Sequence, residues 1–453
     1  MVYDTIKRVI LISVDCLRTD FVSCFNGKSG FTPHIDKLAK NSTIFTKAFA
    51  NGPGTNQSFP SILTSTYFFM HGGLRLLPHY TTLAEVLKEN RFKTVAFHSN
   101  PFLSKSLGFS KGFNEFYDFL NVIKSPSAFV TQKNSINNNL FRLISTVLGV
   151  KCLPWIQKQL KKFYYQFSEF QMPYLEGKEL NKYVKKWIQE NKADKFFLWM
   201  HYMEPHEPFI PPEKYLSNFS SREEAFNYNS NMDYEKLSKE DLKLLRNLYL
   251  GEVKYVDECI GDFLRYLDTD GLLDNTLILL LADHGQAFME HNRFGHMYDI
   301  LYNEVLHVPL IIYGLKNLKK VGIPVQLLDV PPTILDLLNI EKPLSFLGES
   351  LLNITKGGQA SAPIFSESAK ADLINLKYDL TKKAISCIIT PYKLILNQIQ
   401  GKVELYDIEK DFKEKKNLIN DNKDIYKEIS TLIQKHLINV TLKKKDLRIE
   451  KIS

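Results

Sequence analysis

Cysteine is sparse in this 453-residue chain: Cys16, Cys24, Cys152, Cys259 and Cys387, an odd number with no CxxC spacing. That pattern excludes a disulfide-stapled module or a CxxC metal centre and reads as free thiols in a reducing compartment. Long apolar runs are also missing, and none is long enough to span a bilayer. The short run at the N-terminus ends directly in Asp15, so it reads as a first strand rather than a signal peptide. Internal repeats, low-complexity linkers and nucleic-acid modules are absent from the sequence. These absences predict a cytoplasmic enzyme without a nucleic-acid partner. What is present is a 44% hydrophobic chain of net charge +8. Such a chain can bury a large core. Its basic balance suits an anionic substrate, although ordinary solvated faces are often basic too.

Two apolar runs carry the candidate chemistry. Leu277 to Leu281 is continuously apolar and leads through Ala282 into Asp283-His284-Gly285. Val9 to Val14, with Ser13 as its one polar residue, leads into Asp15. Short continuous runs of this kind read as strands buried on both faces of an α/β sheet. Ligands of such sheets gather at the carboxyl ends of the strands. Carboxylates and an imidazole brought together there can grip a divalent cation. His291 and His296 follow in the next loop, where surface exposure is the reading favoured for His291. Asp15 by itself would read equally well as a helix cap; beside the Asp-His pair, the metal reading is preferred.

A turn-rich stretch, Ala50 to Gln57, precedes a helix-compatible segment that includes Pro60. Because proline is tolerated in a first helical turn, the helix is predicted to begin near Ser58. A Ser or Thr hydroxyl at that start would meet free amide donors and the positive end of the helix dipole. Activated by a metal, it could attack phosphorus or sulfur. An ordinary Ser/Thr cap remains the simpler reading of the segment alone.

Several motifs in one order along the chain resemble the sulfatase family of the alkaline phosphatase superfamily. They are Val14 to Asp20, Thr32 to Ala39, Thr82 to Lys88, Gly108 to Phe113, Trp199 to Phe209, Phe294 to Glu304 with Val308 to Ile312, and Glu404 to Ile408 with Lys416 to Leu418. The resemblance implies an α/β fold: an alkaline phosphatase-like three-layer sandwich with a large mixed, mostly parallel sheet between helices. A smaller C-terminal antiparallel subdomain would follow. The expected catalytic domain covers residues 1–350, with a helical insertion at about 121–194, and residues 351–453 form the subdomain and a frayed basic tail from Lys443. Ala384 to Ile389 and Tyr392 to Leu396 are expected as adjacent antiparallel strands. In the insertion, Leu140 to Ile144 and Trp155 to Phe163 read as amphipathic basic helices. Packing on the body is their default role, with a lid or peripheral contact to anionic lipid as alternatives.

The nucleophile segment departs from the sulfatase pattern. Sulfatases carry Cys or Ser in a C/S-x-P-S-R core that is oxidised to formylglycine, and that core is missing here. Aligned without gaps to a family variant, Gly52 to Ser65 puts Thr55 at the nucleophile position. A second register makes Ser58 the alternative nucleophile but leaves Ile62 where Arg belongs. Threonine cannot become formylglycine; it is the nucleophile of the phosphatase, phosphodiesterase and phosphotransferase branches. The resemblance further implies one divalent cation held by Asp15, Thr55, Asp283 and His284. Cys16 stands where many sulfatases have a second metal-binding Asp, which argues against a sulfatase-type calcium site, and the Asp283-His284 pair favours manganese or zinc over calcium or magnesium. His206 and His296 would contact the ester oxygens or protonate the leaving group, and a second metal on these two stays open. His201 is a further substrate-binding candidate or a packed core histidine; Arg18 would orient the metal loop or anchor the anion. The expected activity is a metal-dependent hydrolase or transferase acting on phosphate or sulfate esters through a covalent threonyl intermediate. A sulfatase proper and a catalytically silent binding protein are the alternatives.

Overall fold

The computed structural model describes residues 6–27, 30–121, 172–315, 320–355, 363–372 and 377–449. Eleven strands belong to the larger part: β1 (Arg8–Val14), β2 (Ser42–Phe49), β3 (Lys93–Phe97), β4 (Glu115–Tyr117), β5 (Phe196–Tyr202), β6 (Thr276–Ala282), β7 (Ala287–Phe288), β8 (Phe294–Gly295), β9 (His307–Tyr313), β10 (Lys320–Val321) and β11 (Val325–Gln326). All but the β7–β8 hairpin join one sheet, ordered β10-β2-β9-β6-β1-β5-β3-β4, with β11 also on β2. Its pairings are parallel except those of β9, which runs antiparallel to both neighbours. The predicted mixed, mostly parallel sheet is therefore present.

At the centre, every residue of β5 and β6 is buried, as is β1 beyond Arg8. Apolar side chains on both faces of these strands, each contributing about 1.5–3 kcal/mol on full burial, explain the unbroken Val/Ile/Leu/Phe runs. Helices cover both faces. Successive strand residues point to opposite sides, and Trp199 meets Phe59 of the helix Thr55–Thr64. Tyr202, on the other side, bonds Asn181 of the helix Gly177–Asn191. In chain order we label Pro33–Lys40 α1, Thr55–Thr64 α2, Gly177–Asn191 α3, Lys239–Thr269 α4 and Lys423–Ile449 α5. Helix α4 packs against α1 and α3. Helix α3 is the helix among the described residues of the 121–194 stretch, and it buries Leu180, Val184, Trp187 and Ile188. The predicted helices Leu140 to Ile144 and Trp155 to Phe163 lie outside the described residues.

A second sheet, β12 (Ile364–Asp372), β13 (Lys377–Ile389), β14 (Tyr392–Asn397) and β15 (Lys402–Asp407), is antiparallel throughout. It includes the expected β13–β14 pair. Helix α5 covers it, burying Ile429, Ile433 and Val440. The helix continues to Ile449, so the lysines from 443 onward extend a helix where a frayed tail was expected. The sheet also braces the segment leading into α2. Glu367 donates its amide to the Asn51 carbonyl at 2.8 Å, the Asn51 side chain donates to Phe365 O at 2.8 Å, and Ser366 Oγ donates to Ala50 O at 2.6 Å.

Candidate active site

The in-register pairing of Val14 with both Tyr202 and Ala282 places Asp15 level with Asp283, one strand apart. Residues from the carboxyl ends of β6, β1, β5 and β3 thus converge, as the sheet rule predicts. Asp15 is fully buried. Its Oδ2 accepts from Asn100 Nδ2 at 2.9 Å and faces His201 Nε2 at 3.2 Å, while Oδ1 lies 3.5 Å from His284 Nε2. Asp283 is also buried; its Oδ1 accepts the His284 amide at 3.0 Å, and its Oδ2 has no hydrogen-bond partner. His284 Nδ1 donates to Gly285 O at 2.9 Å, which leaves Nε2 as the lone-pair nitrogen, 3.5 Å from Asp283 Oδ2 and 3.4 Å from Thr55 Oγ1. Gly285 adopts no left-handed backbone; it is required because a Cβ would stand 2.3 Å from the Glu304 carbonyl oxygen.

Thr55 begins α2. The helix therefore starts three residues before the predicted position near Ser58. Extended Gly54 lets its carbonyl accept from both Gln57 and Ser58, so the first turn closes ahead of the proline. A Cβ at Gly52 would lie 2.2 Å from that of Gln57, which explains the glycine in this tight approach. Thr55 Oγ1 sits at the helix N-terminus, where unpaired amides and the dipole favour negative charge. Ser58, the alternative nucleophile, is fully buried and its Oγ has no partner. Among the described residues, no hydrogen bond links it to the Asp15–Asp283–His284 group.

On the other side of Asp15, Cys16 Sγ lies 3.2 Å from Asp15 Oδ1 and 3.5 Å from His296 Nδ1. His296 stacks on His284 with ring centroids 4.6 Å apart and meets His206 at 5.0 Å. The ligand atoms of Cys16, His206 and His296 lie within 4.8 Å of one another, as do those of Asp15, Cys16 and His284, and of Asp15, His201 and Asp283. Electrostatics divide the two carboxylates. Burial opposes ionisation of Asp15, but His206, His201 and His284 hold its carboxyl well below the usual range. Burial and the neighbouring Asp15 push Asp283 far up. Burial pulls His284 down to about 4 and His296 to about 3. His206 goes the other way: burial lowers it, but Asp15 and Glu207 outweigh that and raise it.

One expectation changes, that for His291, and the alternatives for Arg18 and His201 narrow. Arg18 makes four hydrogen bonds, two to Asp20 at 2.8 Å and one each to Gln286 O and Glu290 Oε1 at 2.7 Å. It braces the two site loops, the first of the two roles expected of it, with its fork engaged by protein acceptors. His201 is 1% exposed, with Nδ1 2.9 Å from Ser13 Oγ and Nε2 on Asp15. It is packed and hydrogen-bonded against Asp15, the second of the two readings given for it. His291 is not a surface residue: it stacks on Tyr302 at 3.7 Å and reaches Glu304 Oε1 at 2.7 Å. Sequence reasoning missed Asn100, Gln286 and Glu207. Asn100 lies just beyond β3 and obeys the same strand-end rule that exposed Asp15. Gln286 Oε1 accepts from His296 Nδ1 at 2.9 Å while its Nε2 donates to Glu207 Oε2 at 2.6 Å.

Comparisons with known proteins place the chain in a family. The sulfatase family model matches residues 7–340, and a model described as the C-terminal part of N-sulphoglucosamine sulphohydrolase matches residues 290–443. An arylsulfatase of Clostridium perfringens is 25% identical over 95% of this chain and 93% of its own length. The multifunctional alkaline phosphatase superfamily protein PehA of Trinickia caryophylli is 23% identical over 79% of this chain and 78% of its own. Among solved structures, the phosphonate monoester hydrolase of Agrobacterium radiobacter has a TM-score of 0.68 at 18% identity, covering 96% of both chains. With the family model spanning most of its length, the chain belongs to the sulfatase family, whose homologues mark it as a hydrolase of ester substrates.

Proposed function

We propose that this chain is a cation-dependent, cytoplasmic hydrolase of anionic esters, phosphate esters ahead of sulfate esters, with Thr55 as its nucleophile. The observation that carries the reading is the meeting of Thr55 Oγ1, His284 Nε2 and the partnerless Asp283 Oδ2 at the start of α2. A buried acceptor with no donor and two carboxylates forced together are costly without a compensating cation. Asp15, Thr55, Asp283 and His284 fit that need, with oxygen and imidazole donors suited to manganese or zinc. When bound, such a cation lowers the pKa of the Thr55 hydroxyl and offsets charge on the ester.

The chain's own residues supply the rest. Thr55 Oγ1 attacks phosphorus in line as the leaving alkoxide departs, and water then attacks the threonyl ester to regenerate the hydroxyl. The free amides of the first α2 turn face the developing negative charge. His201 and Asn100 fix Asp15, and Arg18 locks the loops that carry Asp15 and Gln286. Cys16, His206 and His296 act on the ester's outward oxygens. The unpaired Cys16, Cys24, Cys259 and Cys387 support a reducing compartment.

A second reading, a sulfatase proper, is favoured by the family match. Against it, a threonine offers no route to formylglycine. The test is turnover of nitrophenyl phosphate monoesters, diesters and sulfate by the purified full chain, with Thr55→Ala and Thr55→Ser alongside. Phosphoester turnover that Thr55→Ala abolishes and Thr55→Ser partly keeps is the expected result. Turnover confined to the sulfate, or full activity in Thr55→Ala, overturns the proposal.

A further inference from the structure

We infer that Glu207 selects the substrate, and that the preferred ester is one whose alcohol carries a fixed positive charge, an ammonium a few bonds from the ester oxygen. The inference deepens the proposed hydrolase reading and rests on it for turnover, though not for binding. Glu207 directly follows His206 and is tied to His296. Its Oε2 accepts from Gln286 Nε2 at 2.6 Å, and Gln286 Oε1 accepts from His296 Nδ1 at 2.9 Å. That half of the carboxylate braces the site. The other half does not: Glu207 is half-buried, and among the described residues its Oε1 accepts no hydrogen bond and no lysine or arginine pairs with it. A neutral glutamine at this position would accept from Gln286 equally well, so bracing leaves the charge itself unexplained.

The space beside Oε1 is open. Gly295 borders it: a Cβ there would stand 3.8 Å from Oε1 and, its own chain neighbours aside, would meet no other described atom within 4 Å. Aromatic rings line the same place. Phe294, just before Gly295, stacks on Tyr234 with ring centroids 4.6 Å apart and planes 16° from parallel. Both rings are partly exposed. Tyr234 stands close enough to Glu207 for the carboxylate to add to burial in pushing its hydroxyl up. A carboxylate beside aromatic rings suits an ammonium ion, which gains Coulomb attraction from the first and quadrupole attraction from the second.

The balance of charge points the same way. No lysine or arginine is among the groups acting most strongly on Asp15, Asp283, His206, His284 and His296, whereas Glu207 acts on both His206 and His296. The single dication of the proposed reading offsets Asp15 and Asp283 and leaves Glu207 over. A phosphate ester of a neutral alcohol adds further negative charge beside that surplus carboxylate. An ester with an ammonium in its alcohol brings the missing positive charge with it. Glu207 therefore discriminates from both sides, attracting the second ester and repelling the first.

The test compares phosphocholine with its carbon isostere, in which a tert-butyl group replaces the trimethylammonium, by phosphate release from the manganese-loaded full chain. The ratio of the two kcat/KM values is the preference, and its change on mutation cancels the esters' intrinsic reactivities. Glu207→Gln, which keeps the acceptor for Gln286, should lower the preference about tenfold. Glu207→Asp, which keeps the charge, should retain part of it. A preference unchanged in Glu207→Gln overturns the inference. Equal slowing of both esters also overturns it, because Glu207 would then act only through Gln286 and His296. Calorimetric binding of the matching pair of phosphonates, which have no ester bond to cleave, reads the same preference without turnover. A Glu207-dependent binding preference in a chain inert toward every ester supports the inference and refutes the hydrolase reading alone. Thr55-dependent turnover with no such preference in rate or binding refutes the inference alone.

Discussion

Buried charge is handled in opposite ways at the two sheets. In the smaller one, Lys393 and Glu414 are both fully buried and paired at 2.7 Å, with Lys393 also on Asn303 and Glu414 accepting the Asn303 amide. Glu367 likewise meets His436 at 2.6 Å and the Phe69 amide at 2.6 Å. At the carboxyl ends of the larger sheet, Asp15 and Asp283 are buried side by side and Asp283 Oδ2 is left without a donor. Charges that close among themselves hold a fold together. Two carboxylates buried side by side with no lysine or arginine between them favour a bound cation.

The largest expected effect breaks the open cluster. Asp283→Asn should lose its bound ion, by elemental analysis, and ~10³-fold or more of phosphoester turnover. Retained metal with retained rate would remove the distinction. Next, Lys393→Met leaves the Glu414 carboxylate buried and unpaired. Urea unfolding should show a loss of about 3–5 kcal/mol, while metal content per folded chain stays unchanged. Unaltered stability would mean the closed pair does not hold the fold. A smaller effect has the opposite sign: in metal-free protein, Asp283→Asn should stabilise by roughly 1–3 kcal/mol, because it removes a carboxyl that burial and Asp15 both penalise. A lower apo melting temperature would contradict this.

The smallest effect comes from a lone carboxyl. Asp257 of α4 accepts the amides of His34 and Ile35 at the start of α1, and burial pushes it up to about 7. The folded chain therefore keeps a proton that the unfolded chain releases near its ordinary pKa. This stabilising contribution is complete below pH ~4 and is lost as pH rises toward 7, by about 1 kcal/mol between pH 5 and pH 6. Asp257→Asn should remove that part of the pH slope in urea titrations; a slope equal to wild type would show that Asp257 does not titrate as described.

How much of this was legible follows from where each signal resides. Asp15, Asp283 and His284 ride directly on apolar runs, so the strand ends announced them. Thr55 emerged from the motif order, but the start of its helix did not, because strand β12 braces the entry from outside the local sequence and lets the Gly54 carbonyl close the first turn. Asn100, Gln286 and Glu207 were invisible, since their roles depend on which strands and loops become neighbours. For the same reason the alternatives for Arg18 and His201 could not be separated in the sequence. Only the fold reveals that Arg18 is consumed by Asp20, Glu290 and Gln286, and that His201 lies behind Asp15.

The central claim is that an unmodified Thr55 forms the covalent ester. Mass spectrometry of the peptide spanning Gly52 to Ser65 tests it, in resting enzyme and in enzyme acid-quenched during phosphoester turnover. The account predicts unmodified Thr55 and Ser58 at rest, and a phosphoryl adduct confined to Thr55 after quenching. A formylglycine mass at Ser58, or an adduct elsewhere with Thr55 untouched, would contradict it.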